Sequence, residues 1–269
     1  MTKIHYIELL DRIGTGGAGH IYQGYNTQDG SMVAVKVLWD NLFENSDMRR
    51  RFIEEANHYI YLDHKNIVQL RDFIATDNAS YLVMEFVEGQ NLETYINRTT
   101  GPIPGTHAKA IFLQVLSGIA YAHEQGVLHL DIKPSNIMIT SESHVKIIDF
   151  GIASKVVDFK KNTLIMGSPL YMSPEHTLGK GLDERSDIYS LGITFFQMLT
   201  GTTPYPVNIN RNELFRRIQK GDNMPLARDF YPFVSDAAQQ IITTATQTDK
   251  TKRFQTVKEF MEALKNAAL

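Results

Sequence analysis

Residues 137–148 contain two short β-branched runs on either side of a polar turn, a pattern that predicts a β-hairpin. Because a hairpin brings its two ends together, Asn136 and Asp149 are expected to lie side by side. Two oxygen-bearing side chains on rigid strand ends suit Mg²⁺, with phosphate and water completing its shell. Asp131 would lie near this ion without having to bind it, in a position to take a proton.

Each polar residue of this stretch is ordinary turn chemistry when taken alone, because Asn, Asp, Ser and Pro all favour turns. The combination is far more specific: the pattern H-x-D-x-K-x-x-N spans residues 129–136, and Asp149-Phe150-Gly151 follows. It resembles the catalytic loop and metal loop of a eukaryotic-type serine/threonine protein kinase catalytic domain. The resemblance implies an α+β, bilobal protein kinase fold, with a β-rich N-lobe containing one main helix and a mostly helical C-lobe.

The resemblance also implies a role for each polar residue of the two loops. Asp131 would orient the acceptor hydroxyl and receive its proton, and Lys133 would steady the γ-phosphate. Asn136 and Asp149 would hold Mg²⁺, with Mn²⁺ as an alternative ion. The reaction would transfer the γ-phosphoryl group of ATP to a protein hydroxyl, including one on the enzyme itself. Lys133 together with Ser168 favours the serine/threonine branch over tyrosine kinases.

The glycine-rich segment of residues 14–19 lies between two predicted strands, residues 7–13 and 21–25. Its G-x-G-x-x-G pattern is weak evidence alone, because in dinucleotide-binding folds the same pattern leads into a helix. Here another strand follows, which is typical of kinases, whose glycine-rich hairpin offers unobstructed backbone N–H groups to the phosphates. The nucleotide-binding residues implied in this region are Gly14, Gly16, Gly17, Gly19 and Ile21.

Lys36 lies in the middle of the apolar strand of residues 32–37, where an unpaired ammonium group is costly to bury. One interpretation is a lysine on an exposed edge strand. The kinase resemblance instead implies that Lys36 contacts the α- and β-phosphates of ATP. Its carboxylate partner would come from a predicted helix over residues 48–62, where Glu55 fits the register better than Glu54.

Residues 81–89 form a predicted buried strand that runs into a glycine-marked connector, and they resemble the hinge between kinase lobes. By this resemblance, Met84 guards the back of the adenine pocket. Glu85 and Val87 would offer backbone groups to adenine, and Ala34 would line the same pocket.

The chain after this hinge is predicted to be mostly helical, which places the lobe boundary near residues 88–91. Residues 1–88 would form the N-lobe and residues 89–269 the C-lobe of one kinase domain. Strands first and helices after are typical of an α+β fold. The predicted C-lobe helices cover residues 91–97, 106–124, 186–200, 212–220, 235–246 and 256–267.

Residues 149–175 have little periodic pattern, and loops this long inside compact domains are usually functional or disordered. They end in a sequence that resembles the end of a kinase activation segment. By the same resemblance, Glu175 pairs with Arg253, mainly as a geometric fastener, because desolvation cancels much of the attraction. Asp187 would hold the catalytic loop's backbone; the alternative is a carboxylate that caps the N-terminus of its helix.

Two departures from the family pattern concern regulation and specificity. Leu130 stands where many members have an arginine that meets a phosphate on the activation loop, and Ser154 stands where a second cation is common. We therefore expect activity that does not depend on activation-loop phosphorylation, with the arginines of residues 49–51 as an alternative phosphate pocket. Asn91 and Ser135 replace glutamates that some kinases use to select arginine, so we expect no strong demand for basic residues near the acceptor.

The composition of the chain limits the classes of binding partner that can be expected. The 269-residue chain is 43% hydrophobic, and its 27 Lys and Arg nearly balance 30 Asp and Glu, which gives no reason to expect nucleic acid. The absence of cysteine excludes disulfides and thiolate metal sites. With no signal-like start and no long apolar run, we expect a cytoplasmic chain without a membrane segment. The expected partners are ATP, a protein substrate and, for autophosphorylation, a second copy of the chain.

Two other functions fit the sequence less well. A small-molecule kinase would share the catalytic loop but generally lacks the activation-segment ending and Arg253. A catalytically weak pseudokinase, acting as a nucleotide-binding signalling module, is the main alternative. It would lack a residue equivalent to one of four that are all present here: Lys36, Asp131, Asn136 and Asp149.

Overall fold

A computed structural model of the chain describes residues 3–16, 19–38, 59–76, 79–150, 168–221 and 224–269. The predicted helix over residues 48–62 falls almost wholly outside these ranges, although Tyr59 and Ile60 are helical. The other predictions that lie outside the described residues concern Gly17, Glu54, Glu55, the arginines of residues 49–51, and Ser154.

The N-terminal part is built on a six-stranded antiparallel sheet with the strand order β1-β2-β3-β4-β6-β5. In strand β4, Met32–Leu38, buried and partly exposed residues alternate over Met32–Val35, because successive side chains of a strand point to opposite sides of the sheet. Val33 and Val35 are buried in an apolar cluster on the outer face, which leaves Ala34 and Lys36 on the inner face. The strands are β1 Lys3–Ile4, β2 Ile7–Gly16, β3 Gly19–Asn26, β4 Met32–Leu38, β5 Leu70–Ala75 and β6 Ser80–Glu85.

The glycine-rich segment is the tip of the β2–β3 hairpin, as the sequence predicts. Pairing continues as far as Gly16 opposite Gly19, so both strands reach further into the glycine run than expected. A Cβ atom on Gly19 would lie 2.0 Å from the carbonyl oxygen of Val37, so only glycine allows this approach of β3 to β4.

The C-terminal part is mostly helical. The structure confirms the five longer predicted helices with ends that agree within two residues. A three-stranded sheet lies beside them, formed by β7 Gln90–Asn91, β8 Ile137–Ile139 and β9 Val145–Ile147. The helices are α1 Leu92–Thr94, α2 Gly105–Glu124, α3 Pro174–Thr177, α4 Glu184–Thr200, α5 Arg211–Lys220, α6 Ala227–Phe230, α7 Asp236–Ala245 and α8 Val257–Asn266.

The predicted helix over residues 91–97 is confirmed from residue 92 onward, but it is not α-helical throughout. Only α1 is α-helical, and the chain continues as a π-helix over Tyr95–Thr100. Asn91 caps the start, because its side chain accepts a hydrogen bond from the backbone N–H of Thr94. At the end, the N–H of Gly101 reaches back to Ile96, a spacing of five residues that widens the turn.

One large apolar core joins the two parts of the molecule. It contains Leu38, Leu82 and Met84 from the sheet together with Ile96 and Phe112 from the helical part. The whole is an α+β, bilobal protein kinase fold with the sheet on one side and the helices on the other. Among the described residues, no helix combines the length and the apolar character needed to cross a bilayer.

Candidate active site

The catalytic loop holds Asp131 through both of its carboxylate oxygens. Oδ2 accepts hydrogen bonds from Lys133 Nζ at 2.8 Å and from Asn136 Nδ2 at 3.1 Å. Oδ1 accepts one from the backbone N–H of Ser168 at 3.1 Å. Donors on both oxygens therefore fix the plane of the Asp131 carboxylate.

Lys133 bridges the catalytic loop and the end of the activation segment. Its Nζ donates to Ser168 Oγ at 2.7 Å as well as to Asp131. Ser168 is brought there by the 3₁₀ turn Pro169–Tyr171 that follows it directly. The sequence predicts neither contact of Ser168, which meets both Asp131 and Lys133 in the structure.

The predicted hairpin is confirmed, and it brings Asn136 next to Asp149. Ile137 pairs with Ile147, and the backbone N–H of Ile148 donates to the carbonyl oxygen of Asn136 at 2.9 Å. Asp149 therefore follows directly after a residue that is hydrogen-bonded to Asn136. Asp149 adopts a left-handed backbone conformation with φ of 57°, which turns the chain away from the strand.

Lys36 lies on a central strand, between β3 and β6, and is 7% exposed. The edge-strand interpretation is therefore wrong. Its Nζ contacts Asp149 Oδ1 at 2.7 Å, so the inner face of the sheet is joined directly to the metal loop. Burial acts to raise the pKa of Asp149, but the charge and hydrogen bond of Lys36 outweigh it and hold that pKa below its usual value.

Asn136 and Asp149 both keep oxygen available for a cation. The amide nitrogen of Asn136 donates to the carbonyl oxygen and to Oδ2 of Asp131, so its Oδ1 points elsewhere. Asp149 uses Oδ1 for Lys36, and among the described residues neither Asn136 Oδ1 nor Asp149 Oδ2 has a hydrogen-bond donor. Two such oxygens fit a hard divalent cation that takes its remaining ligands from phosphate and water.

Strand register places the predicted pocket residues on one face of the sheet. Ile21 lies directly opposite Lys36, and Ala34 lies directly opposite Met84. Since residues two apart on a strand share a face, all four side chains face the side on which Lys36 meets Asp149. Gly14 pairs with Ile21 on the next strand and so continues this surface.

The hinge residues have contacts that the sequence did not predict. The side chain of Glu85 forms an ion pair with Lys146 Nζ at 2.8 Å, which ties the hinge to β9. Its backbone N–H donates to the carbonyl oxygen of Gln69 at 2.9 Å, and Val87 packs against the large core. The predicted backbone contacts of Glu85 and Val87 with adenine stay predictions.

Phe150 is held between two rings. Its centroid lies 5.2 Å from that of Tyr59 and 4.6 Å from that of His129, and it is 4% exposed. Burial lowers the pKa of His129, which favours the uncharged form of the ring in this apolar contact. These ring contacts connect the described end of the 48–62 segment, at Tyr59, to Phe150 and to His129 of the catalytic loop.

Asp187 holds the catalytic loop's backbone, as the resemblance implied. Its Oδ2 accepts from the N–H of His129 at 2.8 Å and its Oδ1 from the N–H of Leu130 at 2.7 Å. Asp183, not Asp187, caps helix α4, since its side chain accepts from the N–H of Arg185. Burial acts to raise the pKa of Asp187, but the donors around it bring the pKa below its usual value.

A family model described as the protein kinase domain matches residues 7–266. The chain belongs to this family. A kinase of Lactococcus lactis, named probable serine/threonine-protein kinase PknB, is 35% identical over 94% of this chain and 40% of its own length. Serine/threonine-protein kinase PrkC of Bacillus subtilis is 34% identical over 97% of the chain and 40% of its own length. The chain therefore spans about two fifths of these curated relatives.

Solved structures agree with the fold of this kinase domain. The kinase domain of Mycobacterium tuberculosis PknI superimposes with a TM-score of 0.79 at 25% identity, covering 99% of this chain and 98% of that one. A double mutant of the same domain gives a TM-score of 0.80 at 25% identity.

The kinase domain also contains the predicted Glu175–Arg253 ion pair. Arg253 donates from Nη1 to Oε1 at 2.7 Å and from Nη2 to Oε2 at 2.9 Å, a bidentate arrangement. Burial acts to raise the pKa of Glu175, but Arg253 outweighs it and keeps the pKa below its usual value. This pair ties the end of the activation segment to the loop before α8.

Proposed function

We propose that this kinase domain transfers the γ-phosphoryl group of magnesium ATP to a serine or threonine hydroxyl of a protein. The observation that carries the proposal is the position of Lys133, 2.8 Å from Asp131 Oδ2 and 2.7 Å from Ser168 Oγ. The ammonium group of Lys133 thus connects Asp131, the proposed catalytic base, to Ser168 in the segment that would bind the protein substrate.

Lys36 would bind the α- and β-phosphates of the nucleotide. Its ammonium group is already fixed by Asp149, so little conformational freedom remains to be lost when phosphate binds. Ile21, Ala34 and Met84, on the inner face of the sheet, would surround the adenine ring of ATP. Gly14, Gly16 and Gly19 would offer backbone N–H groups to its phosphates. Gly17 and Glu55 belong to the proposal by resemblance alone.

Asn136 and Asp149 would hold Mg²⁺, with Mn²⁺ as an alternative ion. When bound, the ion supplies neutralisation of phosphate charge. Asp131 would accept the proton of the acceptor hydroxyl, since donors on both of its oxygens fix its direction. Lys133 would then stand beside the transferred phosphoryl group as negative charge shifts toward it.

The acceptor is proposed to be a protein, including a second copy of this chain. Because ATP is the phosphoryl donor of the cell interior, we place the reaction in the cytoplasm. Intact-mass measurement after incubation with magnesium ATP tests self-phosphorylation, and fragment spectra then assign the modified residues.

The decisive test is Asp131→Asn, which keeps the shape of the side chain but removes the base. Transfer of labelled γ-phosphate from ATP to proteins of a cell extract should fall by about a hundredfold or more. Affinity for magnesium ATP, measured by calorimetry, should stay near the wild-type value. Asp236→Asn is the matched control, because that side chain is 95% exposed and lies in α7. Labelling that persists in Asp131→Asn, or wild-type protein that labels no protein, would contradict the proposal.

A further inference from the structure

Helix α5 carries a local excess of positive charge that the chain as a whole does not have. Its ten residues, Arg211–Lys220, contain three arginines and one lysine but a single carboxylate, that of Glu213. All four cationic residues are exposed. The whole chain, by contrast, has a formal net charge of −3. The basic surface is therefore a property of this helix and not of the overall composition.

Three of the four cations lie along one side of the helix together with Glu213. Residues three and four apart share a face of an α-helix, so Arg216, Arg217 and Lys220 follow Glu213 in what we call the basic row. The Nε atoms of Arg216 and Arg217 donate to the Glu213 carboxylate at 2.8 Å and 2.7 Å. These bonds lower the pKa of Glu213 to about 2, so one negative charge is shared by two guanidinium groups at neutral pH. The basic row therefore keeps a net positive charge.

The stability of the helix explains only part of this charge. Arg217 and Lys220 lie in the last turn, where cations complement the partial negative charge of the helix end. Arg211 is the first residue of the helix, where the same dipole disfavours a cation. Its guanidinium group lies over the ring of Phe215, 5.1 Å from the centroid, which offsets part of this cost. The excess of cations thus requires a reason other than helix formation.

The buried side of α5 packs against the segment that would bind the protein substrate. Leu214 of α5 belongs to the same apolar cluster as Tyr171. Tyr171 ends the turn Pro169–Tyr171, which directly follows Ser168. The hydroxyl oxygen of Ser168 accepts a hydrogen bond from Lys133 at 2.7 Å. The exposed basic row is therefore carried by a helix that is packed directly on the flank of the proposed acceptor site.

We propose that the basic row of α5 docks an acidic segment of the protein substrate. The inference rests on the proposed function and adds a substrate class to it, namely proteins with a run of carboxylates near the acceptor hydroxyl. In the described part of the chain, Arg217 uses only Nε for Glu213, so Nη1 and Nη2 can bind a substrate carboxylate. A docked segment does not touch the reacting groups, so its contribution should appear in KM and not in kcat.

Binding can be measured without catalysis. The probes are two fluorescent peptides in which a serine is flanked on both sides by a glycine spacer and about five glutamates, or by the same number of glutamines. Fluorescence anisotropy gives the Kd of each peptide. Wild type should bind the glutamate peptide about tenfold more tightly than the glutamine peptide, the sum of two exposed charge pairs reduced by screening. Salt at about 0.5 M should remove most of this difference.

Substitutions on two helices test whether the basic row is the site. Arg217→Gln combined with Lys220→Gln should weaken binding of the glutamate peptide by about tenfold. Glu213→Gln should tighten it by about twofold to fivefold, a gain that misfolding cannot produce. The matched control is Lys258→Gln combined with Lys265→Gln, which also removes two cations but from α8, where these side chains are 69% and 47% exposed. The control should bind the glutamate peptide like wild type.

Peptide phosphorylation then connects docking to activity. With magnesium ATP, wild type should show a lower KM for the glutamate peptide than for the glutamine peptide at a similar kcat. The α5 double variant should raise the KM of the glutamate peptide to that of the glutamine peptide and leave the latter unchanged. If the double variant does not fold, the tighter binding expected of Glu213→Gln decides alone, and unchanged binding in that variant overturns the inference.

The other outcomes are equally separable. The docking role is overturned if wild type binds both peptides alike, or if the α8 control weakens binding as much as the α5 double variant. It is also overturned if oligothymidine of equal charge binds more tightly than the glutamate peptide, because the surface would then favour phosphate. If wild type binds the glutamate peptide but phosphorylates neither peptide, the acidic site stands and the proposed function fails. If it phosphorylates both with one KM, the proposed function stands and docking fails.

Discussion

Replacing Arg253 by methionine should lower the free energy of unfolding by about 3 to 5 kcal/mol, the range for breaking a buried ion pair by removing one partner. The arginine side chain is 0% exposed and Glu175 is 12% exposed. Methionine fills much of the volume of arginine without supplying any donor, so the change tests the polar contacts and not the packing.

The magnitude follows from what the substitution leaves behind. Besides Glu175, the guanidinium group donates to the carbonyl oxygens of Arg185 at 2.7 Å, Gln247 at 2.7 Å and Thr248 at 3.2 Å. Each buried acceptor left unsatisfied costs about 1 to 3 kcal/mol, and local relaxation and water entry recover part of the sum. Among the described residues, the carboxylate of Glu175 would keep the hydroxyl donor of Ser186 at 2.8 Å and its own backbone N–H.

The effect should depend on pH in a defined direction. Arg253 holds the pKa of Glu175 below its usual value, so the stability from this contact is present above the usual glutamate range and is lost as the pH falls through the lowered pKa. In Arg253→Met, burial alone would raise that pKa, and acid would protonate and relieve the buried carboxylate. The difference in stability between wild type and variant should therefore shrink between pH 7 and pH 4.5, the ordinary pKa of glutamate.

Urea denaturation followed by circular dichroism measures these differences. Arg217→Met is the matched control, because Arg217 pairs with Glu213 at 2.7 Å on a surface where the two side chains are 44% and 35% exposed. An exposed pair of this kind contributes less than about 1 kcal/mol. Arg253→Lys should fall between the two, since it keeps the charge but not the bidentate geometry. If Arg253→Met is no more destabilising than Arg217→Met, the reasoning is refuted.

Three further predictions concern regulation, specificity and the hinge. Because Leu130 cannot bind a phosphate, fully dephosphorylated enzyme should show its full initial rate of peptide phosphorylation. A rate that climbs by an order of magnitude after preincubation with ATP would contradict this. Asn91 uses its side-chain oxygen to cap α1, so a peptide array should show no preference for arginine before the acceptor, and an arginine-dominated motif would count against it. Gly89→Ala should destabilise the domain by about 3 kcal/mol in urea, because its Cβ would lie 2.3 Å from the carbonyl oxygen of Ile139. Gly126→Ala, where a Cβ meets nothing within 4 Å, should lose only about 1 kcal/mol, from its positive φ.

Local signals in the sequence account for the elements that were predicted well. The helix over Gly105–Glu124 has apolar residues at helical spacing, and the hairpin that pairs Ile137 with Ile147 is marked by two β-branched runs around a turn. Such periodicities arise because one face of the element is buried, so they can be recognised from the local sequence alone. The strand Leu70–Ala75 was not predicted, because Arg71 and Asp72 interrupt its apolar run.

Contacts between distant residues required the structure. The described contact of Lys36 is with Asp149, 113 positions away, whereas its predicted partner Glu55 lies outside the described residues. His123 Nε2 lies 2.8 Å from Asp187 Oδ2, a contact between residues 64 positions apart that the sequence analysis did not predict. Ser168 likewise appears in sequence as one residue of a motif, and only tertiary folding places its hydroxyl against Lys133. The family resemblance implied the contacts of Asp187 with the catalytic-loop backbone, but not the hydrogen bonds that hold the carboxylate of Asp131.

The core that joins sheet and helices has a consequence for cooperativity. Leu38, Leu82 and Met84 pack in the same cluster as Phe112, so the boundary near the hinge divides the shape of the molecule but not its apolar interior. Severing the chain at this boundary would expose large side chains on both fragments, which favours aggregation over independent folding. Heating should accordingly melt both lobes together in one calorimetric transition.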